Sequence, residues 1–224
     1  MKILIVFAAL LVPFVLQAQE ETTEAAALTP DQLEKRDGLQ YEIGADIPYT
    51  GAVADYHPDG PIKLRGNVAA GRREGLQTTW HENGMKKSEA NFVAGQPEGP
   101  QTWWYDNGSK KLQRALEGGN GRVTEWYDNS SKKSETFYKD GKTHGLSTLW
   151  FENGNKKSEV AYVEGKQHGS GTWWHVGGMK RLSGELIGGK KEGLWTEWDE
   201  EGRMLSEKEY SAGVQVQRTA EDTG

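Results

Sequence analysis

The chain has 224 residues, no cysteine, a formal net charge of −6, and only 35 % hydrophobic residues against 29 glycines. Without cysteine there is no disulfide framework and no thiolate metal site, and the acidic balance argues against nucleic acid, whose phosphates need a basic footprint. The apolar material is mostly aromatic and recurs periodically, which suits a thin sheet better than a closed globule.

The N-terminus carries Lys2, then an apolar run from Ile3 to Leu16, then small Ala18. This pattern predicts a cleavable signal peptide over 1–18, cut after Ala18. The run is short for a membrane span, and Pro13 interrupts it. The chain is therefore expected to be exported, to the periplasm or beyond the cell. Residues 19–37 read as a polar leader. Within it, Thr29-Pro30-Asp31-Gln32 has the form of a helix start, with Thr29 as N-cap and Gln32 reaching back. Residues 38–55 alternate apolar and polar (Leu39, Tyr41, Ile43, then Tyr49 and Val53) and read as an N-terminal capping hairpin. Residues 214–224 carry no turn or core signal and are expected to form a disordered tail.

Between them, residues 56–213 repeat. Trp80, Trp104, Trp126, Trp150, Trp174 and Trp198 fall at steps of 24, 22, 24, 24 and 24. A fixed period of this length marks a quasi-one-dimensional array in which each unit packs only on its neighbours. Each unit has two strand-like halves. One ends in tryptophan (Leu76 to Trp80), a turn follows at Glu82-Asn83-Gly84, and the second half runs from Met85 to Val93. The runs are too short for helices between such turns, so an all-β antiparallel meander is predicted.

The turn type follows from the faces. A two-residue Asn83-Gly84 turn would pair Trp80 with Lys87. A three-residue loop, a type I turn closed by Gly84 in the left-handed region, pairs Trp80 with Lys86. The second choice is expected to gather Trp80, Thr78, Ser88, Ala90 and Phe92 on one face. Gln77, His81, Lys87, Glu89 and Asn91 then share the other. The short unit, between Leu116 and Thr124, has lost two residues, and a loss of two preserves that alternation.

Several rows recur. A threonine stands two before each tryptophan, from Thr78 to Thr196. Large side chains recur at Phe92, Tyr138, Tyr162 and Tyr210; with Trp80, Trp104, Trp126, Trp150, Trp174 and Trp198 they are the expected structural core of the repeat. A second aromatic set (Tyr105, Tyr127, Phe151, His175, with Trp103, Trp173 and Trp195) is expected on the more polar face. It is the candidate partner-binding surface. Two lysine rows, Lys86 to Lys180 and Lys87 to Lys157, are interleaved with glutamates such as Glu89 and Glu135, as a solvated face would be.

Catalytic and metal signatures are weak. His144 and His168, like His57 and His81, occupy one position in successive units, too far apart to share an ion that each must approach within roughly 2 Å. Gly184 to Lys190 has the glycine spacing of a phosphate loop, but Lys191 stands where Ser or Thr is required. No nucleophile, base and orienting group occur outside repeat positions. No catalytic residue, cofactor or metal is assigned.

The phrase F-x-x-G-x-x-x-G (Phe92 to Gly99, Tyr138 to Gly145, Tyr162 to Gly169), followed by W-x-E-N-G-x-K-K-S-E, resembles the bacterial variant of the MORN repeat over roughly residues 38–213. That type occurs in exported 24-residue-repeat proteins and in the antitoxin-labelled YwqK-type family. The resemblance implies an elongated, single-layer, twisted sheet of stacked hairpins that serves as a scaffold. The leading expectation is a non-catalytic exported protein that binds a protein partner through this sheet. The alternatives are a module for envelope glycan or membrane surface, and a toxin-neutralising protein. A homodimer that covers the apolar face is a further expectation.

Overall fold

Each half-unit offers at most nine residues between glycine turns, so the chain can make only short strands joined by tight reversals. The computed structural model describes residues 26–217. A 3-10 turn at Pro30–Gln32 comes first; the backbone N–H of Thr29 donates to Gln32 Oε1 at 2.9 Å. Then follow β1 (Leu33–Arg36), β2 (Leu39–Glu42), β3 (Gly51–Tyr56), β4 (Ile62–Ala69), β5 (Arg72–Trp80) and β6 (Lys86–Val93). The next are β7 (Gln96–Trp104), β8 (Lys110–Glu117), β9 (Asn120–Trp126), β10 (Lys132–Lys139), β11 (Lys142–Trp150) and β12 (Lys156–Val163). The last are β13 (Lys166–Trp174), β14 (Lys180–Ile187), β15 (Lys190–Trp198), β16 (Met204–Ser211) and β17 (Val214–Val216). Strands β3 to β17 form one 15-stranded antiparallel sheet in strict chain order, with β3 and β17 as its edges.

The two ends differ from the sequence reading. Within the hairpin expected over 38–55, antiparallel pairing is limited to an isolated bridge between Tyr41 and Pro48. Instead β1 and β2 pair across Asp37-Gly38 as a separate two-stranded sheet, and β3 belongs to the main sheet. Asp37 and Gly38 both have positive φ, the geometry that a tight two-residue turn demands. At the other end Val214–Val216 pairs with β16, so the expected tail begins with a strand. The proposed signal peptide and residues 218–224 lie outside the described residues.

The turn after each tryptophan is the three-residue loop. Gly84 N donates to His81 O and His81 N to Met85 O, each at 2.9 Å, with Gly84 at φ +80°. Trp80 accordingly faces Lys86. One residue further on, the register slips: Thr79 pairs with Ser88, leaving Lys87 as the extra residue of a β-bulge. The slip recurs at the tryptophans of the later hairpins. It corrects the expected faces. Directly paired residues share a face, so Thr78, Glu89, Thr102, Gln113, Thr124, Glu135 and Thr148 form one continuous row. The tryptophans, two residues along from the threonines, lie on this front face. Ser88, Ala90 and Phe92 lie on the back with Thr79 and Gln77. The row of Phe92, Tyr138, Tyr162 and Tyr210 is therefore on the opposite side of the sheet from Trp80 and its equivalents.

The back face holds the core. Val160, Leu186 and Trp195 form its buried centre, with Tyr162, Trp173, Leu182 and Tyr210 against it. Trp173 and Trp195 lie 5.7 Å apart between ring centroids, and Tyr210 meets Trp195 edge-on at 6.5 Å. Glycine makes this possible: a Cβ on Gly184 would come within 2.4 Å of the Trp195 ring.

The short unit has a simple structural basis. In the long hairpins the strand after the second turn carries two extra residues; Thr136 pairs with Ser147, but Tyr138 pairs with Thr143. Strands β8 and β9 pair without interruption from Leu112–Glu125 to Glu117–Asn120. The deletion removes the bulge and leaves the faces intact.

A seam precedes it. Strand β7 contains Pro97 and Pro100, which lack the N–H that a central strand uses. Its pairing with β8 stops at Gln101–Arg114, whereas β5 pairs with β6 as far as Gly75–Phe92. Gly95, Gly141 and Gly165 each donate their N–H to the preceding hairpin; the equivalent bond from Gly119 to Pro97 is not formed among the described residues.

Two predictions follow from this geometry. Trp126→Ala removes a half-buried ring in mid-array and should cost ~2–3 kcal/mol, somewhat below the ~3–5 kcal/mol of a fully buried ring. Trp198→Ala, near the end, should cost less, because an end unit couples to one neighbour. Equal losses in thermal melts would contradict a linear stack. In hydrogen exchange, the amides of Ala115–Glu117 that face β7 should exchange at least ~10-fold faster than their equivalents in Ala161–Val163. Equal protection would show that the prolines leave no seam.

Candidate functional site

The tips that follow the tryptophans carry the recurrent polar and aromatic side chains, and these are built into one another. Tyr105 Oη donates to the Trp126 carbonyl and Tyr127 Oη to that of Trp150, both at 2.9 Å. His57, His81 and His175 place Nε2 within 2.9–3.1 Å of the carbonyls of Trp80, Trp104 and Trp198. Phe151 occupies the same position without a polar tip. Each tyrosine and histidine ring spans from one hairpin to the next, so its polar end is already engaged.

The asparagine of the turn makes a second tie. Asn107 Nδ2 donates to Asp128 O at 3.0 Å, Asn129 to Glu152 O at 3.1 Å, and Asn153 to Val176 O at 2.9 Å; Asn83 reaches Asp106 O in the same way. The same side chains accept from their own turns, as Asn107 Oδ1 does from Ser109 N at 2.9 Å. Sequence reasoning treated Asn83 only as a turn residue. Its recurrence at Asn107, Asn129 and Asn153, in step with the tryptophans, was the available signal.

The lysines are also engaged. The ammonium groups of Lys86, Lys110, Lys132 and Lys156 sit 5.4–5.9 Å from the ring centroids of the next unit's Trp104, Trp126, Trp150 and Trp174. Three of these ammonium groups also reach a glutamate, in Lys86–Glu89, Lys132–Glu135 and Lys156–Glu159. Lys111, Lys133 and Lys157 lie over Tyr105, Tyr127 and Phe151.

The structure divides the candidate partner-binding set. Tyr105, Tyr127, Phe151 and His175 lie at the tips. Trp103 and Trp173 lie on the back face, in one row with Leu112, Leu149 and Leu182. Trp195 is 3 % exposed, its Nε1 donating to Glu185 O at 3.1 Å, with Lys191 4.3 Å from the ring centroid. It is a core residue and presents no open ring. The bulge explains the division, because it moves the residue before each repeat tryptophan onto the face of Phe92.

Sequence reasoning overlooked the open apolar positions of the front face. Leu76, Phe137, Leu146 and Leu194 are 41–54 % exposed. They share the face of the threonine row, on the side away from the tryptophans. Nothing in the described residues covers them.

The charged groups form surface ion pairs. Lys63, hydrogen-bonded to Asp55 at 2.7 Å, holds that carboxyl below its ordinary range, at the edge of the sheet. Among the described residues no three His, Cys, Asp or Glu side chains converge as a metal site, and no helix is long and apolar enough to cross a membrane.

Four segments match the family model of the MORN repeat variant: residues 73–94, 120–140, 143–164 and 191–212. Each match spans one hairpin joined by the three-residue turn: β5–β6, β9–β10, β11–β12 and β15–β16. The unmatched hairpin β7–β8 carries the two prolines. In β13–β14, Gly177 stands in place of the turn asparagine. No curated protein matches the chain. Four hairpins of this chain are thus similar to the MORN repeat variant, and the same pairing continues them into an open sheet of consecutive strands.

Proposed function

We propose that the chain is a non-catalytic, exported scaffold that binds a protein partner along the front face of its sheet. The observation that carries this reading is the exposed apolar series Leu76, Phe137, Leu146 and Leu194, which runs from β5 to β15 on a single layer. Phe137 and Leu146, both exposed on adjacent strands of one open face, are the part of this set that can act together as an interaction surface. The strand position of Leu76, Leu146 and Leu194 is held by Pro100, Arg122 and Ser170 in the other units, so the apolar surface is centred on Phe137 and Leu146, on the adjacent strands β10 and β11. Export rests on the charge, apolar run and small residue of 1–18. The glycan-binding alternative draws less support, because Tyr105 and Tyr127 already spend their hydroxyls on neighbouring carbonyls and Trp195 is buried.

The test combines Phe137→Asp and Leu146→Asp. Both side chains point outward, so the melting temperature should hold within the small effects of surface changes. Capture of the native partner from envelope extract, measured against the unchanged protein, should fall at least ~10-fold, as loss of two interface anchors implies. Undiminished capture would remove the front face from consideration. A mature N-terminus at Gln19, read by mass spectrometry of the exported protein, would establish the processing; an intact leader on cytoplasmic protein would refute it.

A further inference from the structure

The back face is finished differently at its two ends. Near the C-terminus, Trp173 and Trp195 fill it. The equivalent positions near the N-terminus are Thr79 and Gln77, on the same face and in the same register. Gly66 stands beside them, its missing Cβ replaced by the Gln77 amide, whose Nε2 donates to Asn67 O at 2.7 Å. The floor here is therefore low. Above it stand the 3-10 turn and the β1–β2 hairpin, held in place by backbone bonds from Gln40 N to Gly71 O and Tyr49 N to Gln40 O.

Between roof and floor lies a half-open cavity of about 230 Å³. Its floor is Val53, Leu64 and Val68, and its roof is Pro30 and Leu33. Val53 and Val68 are only 6 % and 4 % exposed, so this is interior apolar surface rather than rim. Protein interiors pack with few voids larger than a water molecule. An apolar cavity of roughly 150 Å³ already suffices to bind benzene.

The mouth is cationic. Arg73 and Lys35 line it, and neither has a carboxylate within ion-pair distance among the described residues. Glu34, also at the mouth, is neutralised by Arg36 at 3.4 Å. The Arg73 guanidinium is stacked on Phe92, 4.1 Å from the ring centroid. That contact fixes where the guanidinium sits, and a guanidinium held beside an apolar cavity is suited to a carboxylate.

We infer that this cavity binds a short linear carboxylate, with a chain of about six to eight carbons over Val53, Leu64 and Val68 and the carboxylate at Arg73. The site is independent of the front face, so it stands or falls separately from the proposed partner binding.

The probe is octanoate, titrated into the protein and followed by amide NMR shifts, with octanol as the uncharged counterpart. Saturable shifts should centre on Val53, Leu64 and Val68, and octanol should bind more weakly. Arg73→Gln should weaken octanoate by about 10-fold, the effect of losing one charge-assisted contact, and leave octanol unchanged. Val68→Phe places in the floor the residue that Phe92 supplies one unit later; it should block both probes while the fold persists. Absent saturation, equal affinity for the two probes, or an Arg73→Gln variant that binds octanoate as before would each overturn the assignment. Binding seen only after residues 1–25 are removed would give the cavity to the chain's own N-terminal segment and overturn it as well.

Discussion

A sheet one layer thick has no second layer to bury against, and every other feature of this molecule answers that constraint. Hydrophobic burial is the dominant stabilising term in ordinary domains, yet here the largest buried cluster is three side chains with four more packed on it. The deficit is met by ties between successive hairpins. Successive hairpins hand a tyrosine, histidine or asparagine to a backbone carbonyl of the next, and Lys86, Lys110, Lys132 and Lys156 also reach the next unit's tryptophan. At the opposite tips, glycine N–H groups reach back to the preceding hairpin. These are neighbour-to-neighbour contacts, so stability accrues along the array rather than around a centre.

The bulge after each tryptophan turn converts a repeat into two distinct faces. Without it, the tryptophans of the repeat and the Phe92 row would compete for one side and leave the other mostly polar. With it, the front face carries tryptophan, threonine, glutamate and lysine as a mutually satisfied lattice, and Thr78, Thr102, Thr124 and Thr148 are buried beneath their larger neighbours. The back face is freed to collect Val160, Leu186, Trp173 and Trp195. A single extra residue per hairpin thus lets a thin sheet hold side chains on both sides.

What the sequence disclosed follows the same division. Period, strand content, the three-residue turn and the meander were legible, because each is a local property of twenty-four residues. The parity argument for the two-residue deletion was legible too, since it needs only that strands alternate. The bulge was not. Trp80 does face Lys86, and alternation carried on from that pair gives the wrong side for Phe92; nothing local announces that Lys87 is the residue left over. The capping hairpin was misplaced for a related reason. Asp37-Gly38 carries a clear turn signal, but its partner strands are four residues long, and short strands declare themselves only through what they pack on. The candidate aromatic set mixed tip residues with back-face residues because the faces themselves had been drawn one residue out.

The ends of an array face a different problem from its middle, and the two ends solve it unequally. An edge strand must be covered or shortened, since it presents unpaired backbone groups. The C-terminal edge is shortened to the three residues of Val214–Val216, and the face beside it is filled by its own tryptophans. The N-terminal edge is covered: Leu28 pairs with Val53 in parallel, and the chain then folds over the back face. Covering a face with a separate hairpin is a looser device than filling it with rings. The hairpin is fixed by its backbone bonds at a height that the residues beneath it do not set. Val53, Leu64, Val68 and Gln77 line the gap left beneath it. The cavity is thus a consequence of how this end is capped, and cations at its mouth that pair with no carboxylate among the described residues distinguish it from an ordinary packing defect.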